Sequence, residues 1–349
     1  MMSLTMTALL TRTASAHAGA LHFASQSLLA QPVGVATVET QFPGANLAQD
    51  MAAIAQTGGN VVRIPVKWNL VQAWQKSYFD WSVVDTAVQA AVNNRLLIIL
   101  NLNGPAPGWA LKPGADPNAN GNAPANPSDF GDFAQAVALR YAKYTSMYEI
   151  WNEPNLSHYL IPPTPSAYLP LLQAAYTSIR SVGIWNEPII TGGTSSSRAE
   201  TRDIDFITGL YDLGGQQYFD GIGVHPYTFP YPLTGDPRYG DGGGAAVLQL
   251  ARNLMVARGD GAKKLWITEY GQPTGNTDVS VTEEQQAQIL VDAINTCNGV
   301  PWIGAVLIFN SRDLAVDSSV PDDNFGLYHN DYSPKQAVAA IRAKLASFG

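Results

Sequence analysis

Two glutamates stand at the ends of short apolar runs. Glu153 lies in Tyr148-Glu149-Ile150-Trp151-Asn152-Glu153-Pro154-Asn155, and Glu269 in Lys264-Leu265-Trp266-Ile267-Thr268-Glu269-Tyr270-Gly271. Aromatic and β-branched residues make both runs strand-like. Pro154 stops ladder pairing and biases Glu153 toward an extended backbone, so the run is expected to deliver its acid to the end of a buried strand. Two carboxyl groups that face each other can divide labour: one, kept protonated, assists a leaving group while the other, ionised, attacks. Held about 5–5.5 Å apart, such a pair breaks a glycosidic bond with retention of configuration. The alternative for either glutamate alone is a solvated ion pair at a rim.

The rest of the chain supplies elements that could position the pair. From about Gln31 onward, β-branched strands alternate eight times with helical windows. The strands are expected at 32–36, 60–66, 96–102, from about 146 to the Glu153 motif, and at 189–193, 220–225, 265–269 and 303–309. Such alternation implies right-handed βαβ units and a parallel sheet, and eight of them in about three hundred residues fit a closed barrel. The expectation is therefore an α/β fold, a single-domain (β/α)8 TIM barrel spanning 31–349. The carboxyl ends of the fourth and seventh strands would then place Glu153 and Glu269 in one mouth. Trp185-Asn186-Glu187-Pro188 repeats the same four residues but precedes a strand rather than ending one, so Glu187 is left out of the pair. Glu149, four residues deeper than Glu153, is read as a structurally paired carboxylate. Glu39 and Asp313 either touch substrate or cap loops.

The Trp-Asn-Glu-Pro at 151–154 resembles the acid/base strand of the large clan of retaining glycoside hydrolases with (β/α)8 barrels, and Lys264–Gly271 resembles that clan's nucleophile strand. The likeness runs from Gln31 to the C-terminus. It is greatest to glycoside hydrolase family 39 and its bacterial exopolysaccharide-hydrolase relatives, with cellulase-type family 5 next. The resemblance implies Glu153 as general acid then base and Glu269 as nucleophile. It implies that Asn152 grips a sugar 2-hydroxyl, that Arg63 hydrogen-bonds the nucleophile, and that His225 and Tyr227 of His225-Pro226-Tyr227 lie beside the acid/base and the nucleophile. The alternatives are a structural salt bridge for Arg63, a satisfied polar residue for His225 and a turn cap for Asn152. Many clan members carry a Trp near the end of the eighth strand, where this chain has Phe309-Asn310.

Aromatic residues follow several strand ends: Trp68, Trp74, Trp109, Tyr159, Tyr227 to Tyr231, Tyr270 and Phe309. Flat rings suit the apolar faces of pyranoses, so Trp68 and Trp109 are expected as sugar subsites, with loop packing as the alternative. The long loops 104–127 and 226–244 would extend a cleft, and long loops in compact domains are usually functional or mobile. Together these features predict an endo-acting hydrolase of β-linked polysaccharide. An exo-acting β-xylosidase-like enzyme and a non-catalytic carbohydrate-binding barrel are the alternatives.

Composition narrows the partners. A net charge of −8 without a Lys/Arg cluster argues against nucleic acid or an anionic membrane as partner. The expected ligand is a β-linked oligo- or polysaccharide bound by a monomer. Apolar runs such as Leu96–Leu102 are too short to span a bilayer, and the single Cys297 permits no intramolecular disulfide. His17, His22, His158, His225 and His329 show no ligand spacing, so no metal is expected. Gly242-Gly243-Gly244 lacks the strand-and-helix frame of a phosphate loop, so no cofactor is expected either. Residues 1–30 are either a secretory signal with an Ala16-His17-Ala18 cleavage site or a disordered N-terminus. The signal would make the protein secreted or periplasmic; the usual basic start is missing and Arg12 interrupts the apolar stretch.

Overall fold

The computed structural model describes residues 31–196, 199–237 and 243–348, so the expected signal or disordered segment at 1–30 lies outside the described residues. Nine strands are present among them: β1 (Val33–Ala36), β2 (Val61–Lys67), β3 (Leu97–Asn103), β4 (Met147–Ile150), β5 (Ile189–Thr191), β6 (Thr194–Ser195), β7 (Gly221–His225), β8 (Lys264–Tyr270) and β9 (Ile303–Phe309). All pairings are parallel, and β1 bonds to both β2 and β9. β5 meets β7 at Ile190 and Gly221, which closes the sheet, while β6 continues the β5 strand along β7. The expected eight-stranded barrel is therefore present, with its fifth strand in two pieces. The seventh barrel strand is β8.

Helices between the strands form the outer layer: α1 (Leu47–Gln56), α2 (Trp68–Val71), α3 (Ser82–Asn93), α4 (Pro127–Tyr141), α5 (Pro165–Ser181), α6 (Asp203–Asp212), α7 (Gly243–Ala257), α8 (Glu283–Cys297) and α9 (Gln336–Ala346). α8 starts with a capping box, in which the Thr282 hydroxyl accepts from the Gln285 N–H and Gln285 reaches back to the Thr282 N–H. α4 starts just before Ser128. Asn126 is the N-cap and Pro127 takes the first helical position, where a missing N–H leaves no bond unmade.

Side chains alternate in and out along each strand, and this sorts the barrel interior into layers. Ala36, Val61, Leu97, Ile99, Met147, Ile190, Trp266, Ala305 and Leu307 form an apolar plug separate from the larger core between sheet and helices. Two residues further along, the same inward rows carry Arg63, Asn101, Glu149, Thr268 and Phe309. The polar site thus rests on a packed floor.

Replacing Leu97, fully buried in the plug, by Ala should destabilise the fold by about 2–5 kcal/mol. Leu139→Ala, at a residue 66% exposed on α4, should change stability by less than about 0.5 kcal/mol. Urea denaturation midpoints of the two variants check this, and equal shifts would contradict the layering.

Candidate active site

Arg63 crosses the interior from β2 and holds three partners. Its Nε donates to Glu149 Oε2, its Nη1 to Glu269 Oε1 at 2.7 Å and its Nη2 to Asn152 Oδ1 at 2.7 Å. Burial alone would lower the guanidinium's pKa, but Glu149 and Glu269 outweigh it and raise the value. Glu149, fully buried, also accepts from Asn101 Nδ2 at 3.1 Å, the Gly193 N–H at 3.1 Å and the Thr268 hydroxyl at 2.7 Å. It is the paired interior carboxylate that its depth in the strand implies.

Two backbone irregularities aim the glutamates. Strict alternation from Trp266 and Thr268 would turn Glu269 out of the barrel. Between Ile267 and Tyr270, however, three steps along β8 oppose two along β9. This bulge lets consecutive Thr268 and Glu269 both face inward, as re-aiming bulges do beside active sites. At the other acid, β4 ends at Ile150, and Trp151 (φ 72°) and Glu153 (φ 39°) adopt left-handed backbone. The expectation of an extended Glu153 is thus corrected. Tertiary hydrogen bonds from the Trp151 N–H to Leu102 O and from the Glu153 N–H to Gly193 O outweigh the local preference set by Pro154.

His225, at the end of β7, is fully buried. Its Nδ1 lies 2.9 Å from Glu153 Oε1 and 3.6 Å from Glu269 Oε2, and its Nε2 lies 3.0 Å from Thr268 Oγ1. The Tyr227 hydroxyl donates to Glu269 Oε2 at 2.8 Å. Burial, then Glu269 and Glu153, raise the Tyr227 phenol well above 10, so it stays a donor. The Tyr159 phenol is raised in the same way. Glu153 and Glu269 therefore differ in surroundings: Glu269 receives a guanidinium and a phenol, whereas Glu153 meets an imidazole.

Carboxylate and ring atoms of Glu153, His225 and Glu269 lie within 4.8 Å of one another, close enough in geometry to hold a cation. The Arg63 guanidinium already supplies positive charge to Glu269, and the chain's own donors occupy both Glu269 oxygens. The pair opens into a cavity of about 480 Å³ whose walls include Asn103, Asn152, Tyr159, Phe229, Phe309 and Phe325. Tyr227, Phe229, Phe309 and Phe325 pack edge-to-face, so a cluster of phenyl rings occupies the end of the last strand.

Six of the eight expected site residues converge here: Glu153, Glu269, Arg63, Asn152, His225 and Tyr227. The two tryptophans do not. Trp68 is fully buried because β2 passes directly into α2 at that residue, which packs the indole against Phe130 and Phe133 of α4. Trp109 meets Trp68 edge-on and donates to Gln72 O at 2.7 Å, outside the cavity walls. Glu39 pairs with Arg312 and Asp313 with Lys335, both as structural links. Glu187 lies at the entry to β5, the face opposite the cavity. Phe42, Asp322 and Phe325 also line the cavity but come from loops with no motif. The inward row of polar residues could have been found, because Asn101, Glu149 and Thr268 keep the parity of the plug residues below them.

The cellulase family model, glycosyl hydrolase family 5, matches residues 28–311. The chain belongs to this family. That family is one of glycosyl hydrolases, here on an eight-stranded parallel barrel. No curated protein matches the sequence. Among solved structures, a family 39 glycoside hydrolase from the gut symbiont Bacteroides cellulosilyticus WH2 superposes with a TM-score of 0.71 at 21% identity, over 90% of this chain and 63% of that one. A family 39 β-xylosidase from Caulobacter crescentus gives 0.64 at 17% identity, over 92% and 71%. A triple mutant of an endo-β-1,4-glucanase from Xanthomonas axonopodis pv. citri gives 0.63 at 17%, over 91% and 99%. At these identities the likeness is one of fold, and the chain spans less than two thirds of the Bacteroides enzyme.

The geometry of this cellulase-family site has two measurable consequences. A Cβ on Gly193 would stand 2.2 Å from His225 Nε2 and 2.8 Å from Thr268 Oγ1, so Gly193→Ala must displace the ring. It should shift the His225 ring resonances and remove any glycoside hydrolysis while leaving the far-ultraviolet circular dichroism native; unshifted resonances would refute the packing. Burial lowers the His225 pKa, but Glu269 and Glu153 reverse this and leave it above its ordinary 6.5. A raised value in the folded state contributes stability that is complete below 6.5 and is lost as pH rises through the folded value. The difference in denaturation midpoint between wild type and His225→Gln should therefore shrink as pH climbs through that window, and a difference independent of pH would count against it.

Proposed function

We propose that the protein is a retaining hydrolase of β-linked glycans that cuts polysaccharide chains internally. The observation that carries the reading is the pairing of Glu153 and Glu269, with carboxylate oxygens within 4.8 Å across the cavity. This closeness suits direct attack on the anomeric carbon, and fits a retaining pair at about 5–5.5 Å better than an inverting pair at about 6.5–9.5 Å.

The roles follow from the surroundings. Glu269, charge-paired with Arg63 and hydrogen-bonded by Tyr227, attacks the anomeric carbon as Glu153 gives its proton to the departing glycosidic oxygen. The sugar is then bonded to Glu269. Glu153, now a carboxylate, takes a proton from the water that releases the sugar and regenerates the pair. Arg63 fixes Asn152 Oδ1, which leaves the amide Nδ2 for a sugar hydroxyl.

Phe42, 42% exposed at the cavity rim, extends the apolar wall outward and suits a chain running through. The barrel also spans 99% of the Xanthomonas endo-β-1,4-glucanase. One observation favours an exo-acting enzyme instead. The loop after β3 contributes no residue beyond Asn103 to the cavity and bonds to itself, to Gln72 and to Ile161, so it does not lengthen the cleft.

The test is a panel of β-linked polysaccharides and aryl β-glycosides, with product size and the anomeric configuration of first-formed product read by NMR. Glu269→Gln should abolish turnover. Glu153→Gln should lower kcat by about 10²–10⁴-fold on glycans and by less on aryl glycosides, whose leaving group needs little protonation. Early release of mixed oligosaccharides supports internal cutting; monosaccharide alone points to exo action. Binding without turnover by wild type would replace the hydrolase reading with a carbohydrate-binding one.

A further inference from the structure

The most constrained group in the site is not one of the two acids. Four donors converge on the buried Glu149 carboxylate: Arg63 Nε, Asn101 Nδ2, the Gly193 N–H and the Thr268 hydroxyl. A hydroxyl has one hydrogen, and that of Thr268 points to Glu149 Oε1 at 2.7 Å. Toward His225 the Thr268 oxygen can therefore only accept. It lies 3.0 Å from Nε2, which must carry the hydrogen. The other ring nitrogen, Nδ1, faces Glu153 Oε1 at 2.9 Å.

We infer that Glu149 and Thr268 are positioning residues that fix the hydrogen of His225 on Nε2, so that Nδ1 alone exchanges a proton with Glu153. A neutral ring then accepts a hydrogen bond from the acid form of Glu153. An imidazolium donates to its carboxylate form. Both states keep Nε2–H and the ring orientation, so Glu153 can alternate between acid and base without rearrangement around it. Were Nδ1–H the neutral form, the ring would donate to Glu153 Oε1 at all times and stabilise only the carboxylate. The charged and titratable groups facing the ring are Glu153 beyond β4, Glu269 on β8, Arg63 on β2 and Tyr227 on its own loop; Glu149 acts through Thr268. Gly193 completes the arrangement: its N–H bonds Glu149, and its lack of a Cβ admits the imidazole.

The inference rests on the reading of Glu153 as the proton carrier, but its test needs no substrate. In protein labelled with ¹⁵N-histidine, the signals of His225 are assigned by their absence in His225→Gln. The Nε2 signal should be protonated (pyrrole-type) throughout a pH titration in wild type and in Thr268→Ser, with Nδ1 alone responding. In Thr268→Val the neutral ring should shift its hydrogen to Nδ1, and any measurable kcat/KM should fall about 10–100-fold, part of the 10²–10⁴ that general acid–base catalysis contributes. Rescue by Thr268→Ser separates the hydrogen bond from mere packing. An unprotonated (pyridine-type) Nε2 in wild type overturns the inference even if Thr268→Val fails to fold, and so does an unchanged tautomer in a folded Thr268→Val. Absence of hydrolysis with the expected tautomer would count against the hydrolase reading and leave the relay standing.

Discussion

The site depends on one buried guanidinium. Arg63 is 3% exposed and ties β2 to Glu149 on β4 and Glu269 on β8. Taking these charges out of water costs several kcal/mol per ion, and the pairing repays it only because every guanidinium nitrogen is matched to an oxygen. Removal of Arg63 would leave two carboxylates uncompensated in the barrel, at a cost of about 3–5 kcal/mol. This mutual dependence fixes the three side chains relative to one another more firmly than any of their loops could. The apolar plug beneath keeps water from relaxing it.

Around this centre, departures from regular backbone gather where side chains must be re-aimed. The bulge in β8 brings Thr268 and Glu269 to the same side. Left-handed residues at 151 and 153 turn the chain so that Asn152 and Glu153 both reach the cavity. Each non-glycine residue held there costs about 1–3 kcal/mol, and such strain persists where surrounding contacts over-determine it. Here those contacts are the hydrogen bonds from Trp151 to β3 and from Glu153 to Gly193. Glycine at 193 serves three needs at once: an N–H for Glu149, a C=O for Glu153, and space for His225.

The solved structures share this barrel at 17–21% identity, which is the behaviour of a fold held by inward and outward alternation rather than by particular residues. Their activities differ, an endoglucanase beside a β-xylosidase. Variation of that kind belongs to loops on a common scaffold, since the mouth of a barrel is built from the segments that follow each strand. In this chain the mouth is walled by phenyl rings from three separate loops, while Trp68 and Trp109 serve as packing.

The sequence by itself determined the repeat of eight strands, the parallel barrel, the placement of Glu153 and Glu269 at strand ends and the company of Arg63, Asn152, His225 and Tyr227. The strands and barrel follow from local periodicity; the company of the two glutamates was legible only as the resemblance of short motifs to a known clan. Tertiary structure alone decided three things. The conformation of Glu153 is set by hydrogen bonds from distant strands, against its local preference. The facing of Glu269 depends on a bulge relative to β9, which no single-strand pattern contains. Whether an aromatic ring lines the cavity or the core depends on what packs over it: Trp68 is covered by α4, whereas Phe42 and Phe325 arrive from loops whose paths only the closed barrel defines.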